Sequence, residues 1–69
     1  MIPVSSSNLR AIGYEAATQT LRIAFVSSSI YEYYGVPASV HAGLMAASSH
    51  GSYLDAHIKK GPYCYRKVG

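Results

Sequence analysis

This chain has almost none of the residues that staple small domains together. Cys64 is the only cysteine among 69 residues. An intrachain disulfide is excluded, and a structural zinc site would be short of sulfur ligands. There is no tryptophan and a single phenylalanine, Phe25. Only three carboxylate side chains are present, Glu15, Glu32 and Asp55, too few and too scattered along the chain for a catalytic acid, base and orienting group. No glycine-rich phosphate loop occurs. The apolar runs fall far short of the ~20 residues that cross a bilayer, so no membrane contact is expected. A lone thiol and the absence of a signal-like segment point to a reducing, cytoplasmic setting.

What the chain does have is tyrosine. Seven residues are Tyr, and 49% of the chain is hydrophobic. Three of the tyrosines fall in Tyr31-Glu32-Tyr33-Tyr34-Gly35-Val36-Pro37, and two more in Tyr63-Cys64-Tyr65. Tyrosine favours strands and combines a large ring with a polar tip, so it serves equally in a core or as a platform for a nucleobase. Six basic residues against three acidic ones give a net charge of +3, compatible with a polyanionic partner but not diagnostic of one. The length allows one domain, residues 1–69. A chain of this size buries about 60% of its unfolded surface and is correspondingly marginal.

The pattern predicts an α+β domain: a three-stranded antiparallel meander, two short helices on one face, then a C-terminal strand. Residues 1–8 read as an irregular N-terminal arm because Ser5-Ser6-Ser7-Asn8 is polar and turn-prone. Strands are expected at Leu9 to Tyr14, Thr20 to Val26 and Ile30 to Tyr34. Gly35 breaks the sheet, and Pro37 suits a first helical turn. Val40, Leu44 and Ala47 lie at helical spacing. Cap and turn residues from Ser48 to Ser52 precede a second helix over Tyr53 to Lys60, and Tyr63 to Val68 closes the chain as a strand.

Register assigns the tyrosines to faces. Pairing Glu15 with Thr20 aligns Tyr14 with Leu21 and Ile12 with Ile23. A three-residue turn over Ser27 to Ser29 sets Phe25 against Tyr31 and Ile23 against Tyr33. Opposed residues share a face, so Tyr31 and Tyr33 look inward beneath the helices. Arg22, Ala24, Glu32 and Tyr34 look outward. The outer face is small, flat and sparsely charged, a surface suited to a protein partner or to a second copy of the chain. Cys64, between two tyrosines, reads as a half-buried strand residue.

The order of these motifs resembles the KTSC domain, a module named after the C-terminus of some lysyl-tRNA synthetases and also found as a stand-alone bacterial or phage protein. The resemblance rests on Ile12-Gly13-Tyr14, Leu21-x-Ile23-x-Phe25, Tyr31-x-Tyr33-x-Gly35-Val36-Pro37, Ala47-x-Ser49-x-Gly51 and Tyr63-x-Tyr65. It departs at Leu54, where an aromatic is common, and at Asp55, where Asn is common. Tyr31, Tyr33, Gly35, Val36, Pro37, Ser49 and Gly51 are its structural motif. The resemblance implies a domain of unestablished function, for which RNA binding has been suggested through the synthetase association; the residues themselves point to no catalysis, and no cofactor is expected.

A nucleic-acid contact would draw on Arg22, Tyr34, Lys59, Lys60, Arg66 and Lys67. Gly61-Pro62 is expected to fold Lys59-Lys60 back towards Arg66-Lys67, phosphates meeting the cations while tyrosines stack on bases. The competing interpretation is that the lysines at the helix end meet its dipole and solvate the surface. His41, His50 and His57 match no metal-ligand spacing, even with Asp55. His41 is expected on an exposed helix face, His50 in a turn, and His57 at a helix end. The function expected is a small binding module, for RNA (tRNA) through a basic patch; the alternative is a protein-interaction or regulatory module, homo-oligomeric and without nucleic-acid contact.

Overall fold

The computed structural model describes residues 1–69. Its elements are β1 (Ile2–Pro3), β2 (Leu9–Glu15), β3 (Thr20–Phe25), β4 (Ile30–Tyr34), α1 (Ala38–Ala46), α2 (His50–Tyr53), which runs on as a π-helical segment Leu54–Lys59, and β5 (Cys64–Lys67). The strands form one antiparallel sheet in the order β1-β2-β3-β4-β5. The helical segments cover one face, where Leu44, Leu54 and Ile58 meet Leu9, Ile12, Leu21, Ile23, Tyr33 and Val36. No helix is long and apolar enough to cross a membrane.

The α+β class and the β-β-β-α-α-β core of the order hold, with one strand more than expected. The N-terminal arm is not irregular throughout: Ile2 pairs with Ile12 and Pro3 with Ala11. Val4 N–H extends this contact to Arg10 O at 3.1 Å. Proline is tolerated because β1 is an edge strand.

The first hairpin has the register expected, Glu15 opposite Thr20, Tyr14 opposite Leu21 and Ile12 opposite Ile23. The second differs. Tyr33 stands opposite Leu21, and Tyr31 opposite Ile23. Its loop is Val26–Ser28, one residue earlier than expected: Phe25 N–H donates to Ser29 O at 2.9 Å and Ser28 N–H to Phe25 O at 3.0 Å. Ser28 takes the left-handed backbone, φ 75°, that closes a three-residue hairpin loop. Three consecutive serines leave that position degenerate in sequence. Sliding the loop by one residue moves every pair by two, so each side chain keeps its face and changes its partner.

Gly35, at φ +72°, turns the chain out of β4 in a conformation costly for other residues. The next peptide is gripped from both sides. Val36 N–H donates to Gln19 O at 3.0 Å, and Tyr14 Oη donates to Val36 O at 2.6 Å. The Gly-Val-Pro corner is thereby tied to the first hairpin, with Val36 fully buried.

The second helical piece begins at His50, three residues earlier than expected. Ser49 is its N-cap, its Oγ accepting from Ser52 N–H at 3.3 Å, which satisfies a donor the helix cannot. At Gly51 a Cβ would run into the Asn8 side chain. The Ala-x-Ser-x-Gly motif therefore combines a cap with a close approach to the N-terminal arm. His41 is half-buried rather than exposed, its ring stacked on Tyr14 at 4.5 Å. Tyr14 faces inward beside α1, so the outward-looking helix position is turned towards the sheet. His50 opens α2 with Nδ1 2.8 Å from Leu44 O. His57 lies against Tyr53, the rings tilted with centroids 4.4 Å apart.

Candidate nucleic-acid interface

The helices do not cover the whole inner face. Beside them, at the β4–β5 end of the sheet, a cleft of about 450 Å³ is lined by Phe25, Ser27, Ser29, Tyr31, Tyr33, Lys59 and Tyr65. Strand alternation puts the three tyrosines there: Tyr31 and Tyr33 are two residues apart on β4, and Tyr65 lies directly opposite Tyr33. The rings meet at varied angles. Tyr31 is edge-on to Phe25 with centroids 5.7 Å apart. Tyr65 is tilted against Tyr31 at 6.1 Å and against Tyr33 at 5.7 Å. Tyr33 is 3% exposed and Tyr65 62%, so the first supports the cleft and the second offers an open ring. Burial, reinforced by Tyr31 and Tyr65, raises the Tyr33 phenol pKa above its usual value.

Lys59, at the end of the π-helical segment, holds its Nζ 5.1 Å from the centre of the Phe25 ring, a cation–π contact. No carboxylate lines the cleft. Lys67 is opposite Tyr31 in register and so belongs to the same sheet face. The hydroxyls of Tyr31, Tyr33 and Tyr65 make no hydrogen bond within the chain, whereas those of Tyr14 and Tyr34 are engaged by Val36 O and Glu32.

The expected basic patch is divided between two faces. Lys59 and Lys67 belong to the inner side, with the cleft. Lys60 reaches Asp55 at 3.7 Å, an exposed ion pair. Arg22, Tyr34 and Arg66 lie on the outer face around Glu32, since Arg22 and Arg66 flank Glu32 in register. Arg22 donates to Glu32 Oε2 through Nε at 3.0 Å and also through Nη2, and Tyr34 Oη donates to Oε1 at 3.0 Å. One carboxylate thus engages a cation and a phenol that sequence assigned to nucleic acid. Cys64 is exposed rather than half-buried, because it pairs with Tyr34 on the uncovered face of an edge strand. No group of three or more His, Cys, Asp or Glu side chains is placed to hold a metal.

The outer cluster gives a pH prediction. Hydrogen bonds from Arg22 and then Tyr34 lower the Glu32 pKa below its ordinary 4.5. A depressed folded-state pKa contributes stability that is complete above the unfolded value and lost as pH falls through the folded one. Glu32→Gln should therefore be less stable than wild type at about pH 6, with the gap closing towards about pH 3. Urea denaturation at several pH values measures it, and a gap independent of pH would contradict the assignment.

Sequence reasoning missed the cleft as such. Phe25 was rightly placed on the inner face beside Tyr31, but Ser27 and Ser29 carried no signal, because the loop that holds them was placed one residue late. Tyr65 entered only among the tyrosines able to stack on a base; its face comes from its pairing with Tyr33, which the sequence left unassigned.

A five-stranded antiparallel meander with its helices on one face defines a small α+β domain. The chain belongs to the KTSC domain family, which its sequence matches over residues 5–68. A protein of Tsukamurella paurometabola is 41% identical over 59 residues, covering 86% of this chain and 88% of that protein. The lysine–tRNA ligase of a Nostoc species is 40% identical over 68 residues, covering 99% of this chain but 12% of the ligase. The crystal structure of a KTSC domain protein from Yersinia pestis superposes with a TM-score of 0.91 at 42% identity, covering 97% of this chain and 93% of that one.

Proposed function

We propose that this domain is a non-catalytic, cytoplasmic RNA-binding module, with tRNA as the ligand class. The observation that carries this reading is the cleft, where aromatic rings and Lys59 come together with no lining carboxylate. Stacking supplies sequence-tolerant affinity for bases, and lysines supply the salt-sensitive contact with phosphates. The similarity to a segment of a lysine–tRNA ligase supports the same reading, since that enzyme handles tRNA. The contact surface is then Lys59 and Lys67 with Tyr31 and Tyr65. Arg22 and Tyr34, held by Glu32, stand apart from it.

Filter binding of bulk tRNA across a salt series tests this reading. Affinity should fall steeply with salt, and Lys59→Ala with Lys67→Ala should flatten the log–log slope by about 1.5 to 2. Unchanged affinity and slope in the double variant would sink the assignment of these cations. Absence of tRNA binding at low salt would sink the RNA reading and favour a protein contact, or self-association, through the outer face.

A further inference from the structure

We propose that the cleft seats one unpaired nucleobase on Tyr65, so that the domain selects single-stranded over duplex RNA. This rests on the RNA reading above and names the ligand more narrowly.

Ring exposure is the first argument. Apolar side chains on the helix-covered side of a sheet are normally buried, and Tyr33 follows that rule at 3% exposed. Tyr65, directly opposite it in register, is 62% exposed. A large ring left open beside a core is a stacking surface. Size is the second. About 450 Å³ lies within the ~300–1,000 Å³ range of small-molecule sites and suits a splayed base, whereas the bases of a duplex are stacked inside it and cannot enter.

Polar chemistry is the third argument. The Tyr31 and Tyr33 hydroxyls, without partners in the chain, and the Ser27 and Ser29 side chains can donate to and accept from the edge of an inserted base. Charge is the fourth. Lys59 is the only charged residue lining the cleft, and Lys67 lies on the same face. Both suit the phosphates on either side of a seated base. An extended proline-rich peptide also docks on aromatic grooves, but it gives no role to a cation at the rim.

The experiment is fluorescence anisotropy of the full chain with a labelled 12-nucleotide single strand and the matching 12-base-pair RNA duplex. Wild type should bind the single strand at least about tenfold more tightly than the duplex. Tyr65→Ala should weaken single-strand binding about 5- to 100-fold with its salt slope unchanged, and Tyr65→Phe should restore it. Tyr65 is exposed, so circular dichroism should show both variants folded. Equal affinity for strand and duplex, or wild-type affinity in Tyr65→Ala, overturns the base seat while leaving the RNA reading intact. Binding of neither RNA nor bulk tRNA overturns both. Saturable binding of a proline-rich decapeptide in that case would assign the cleft to extended peptides.

Discussion

Tyr33→Ala is expected to destabilise the domain by about 3–5 kcal/mol, the range for removing a buried aromatic side chain. Tyr33 is 3% exposed, lies between Leu21 on β3 and Tyr65 on β5 in register, and belongs to the same cluster as Leu44, Leu54 and Ile58. Its loss would open a gap where the sheet, the helices and the floor of the cleft meet. A small domain has a total stability at the low end of ~5–15 kcal/mol, so the variant should be largely unfolded in mild urea. Tyr33→Phe should stay within about 1 kcal/mol of wild type, because the hydroxyl has no partner in the chain to leave unsatisfied. Urea denaturation of both variants decides the matter. An alanine variant about as stable as the phenylalanine one would mean the ring does not hold the layers together.

Leu44→Ala should cost about 2–5 kcal/mol. Helix α1 has one fully buried side chain, Leu44, with Val40 and Met45 half-buried against the core. A helix anchored at so few points has no second row of contacts to fall back on. Val40→Ala, with less area to lose, should cost about 1–2 kcal/mol. The same substitution should release α1 locally, so hydrogen exchange would show its amides losing protection beyond the global change. Uniform loss of protection across sheet and helix would show instead that α1 opens only with the whole domain.

Much of the architecture was legible because it follows from alternation and punctuation. Leu21, Ile23 and Tyr33 announced the inner face by their period of two, and Gly35 with Pro37 announced the corner into α1. Face assignments survived even where pairing did not, since a loop slid by one residue preserves parity. What local sequence could not supply were choices made by long-range packing. Ser28 took the left-handed position over its identical neighbours. Ile2–Pro3 found a sheet edge across the turn-prone Ser5-Ser6-Ser7-Asn8, with no strand signal of their own. The start of α2 at His50, with Ser49 as its cap, brings Gly51 against Asn8, a long-range contact. The site suffered most, because its cations were grouped by closeness in sequence. Arg66 and Lys67 are adjacent in the chain and lie on opposite faces of β5, as any two neighbours in a strand must. The tyrosines of β4 were correctly turned inward, yet inward here includes a stretch the helices leave open.

Strand order in this sheet follows chain order, which has a kinetic meaning. The first three pairings join segments separated by short turns, whereas β4 meets β5 only after the whole helical stretch has intervened. Closing that longer loop carries the largest entropy cost of the four pairings. Tyr65 arrives with β5, so the cleft is assembled by the slowest kind of contact in the molecule. Tyr31 and Tyr33 therefore gain their contact with Tyr65 only when that longest loop has closed.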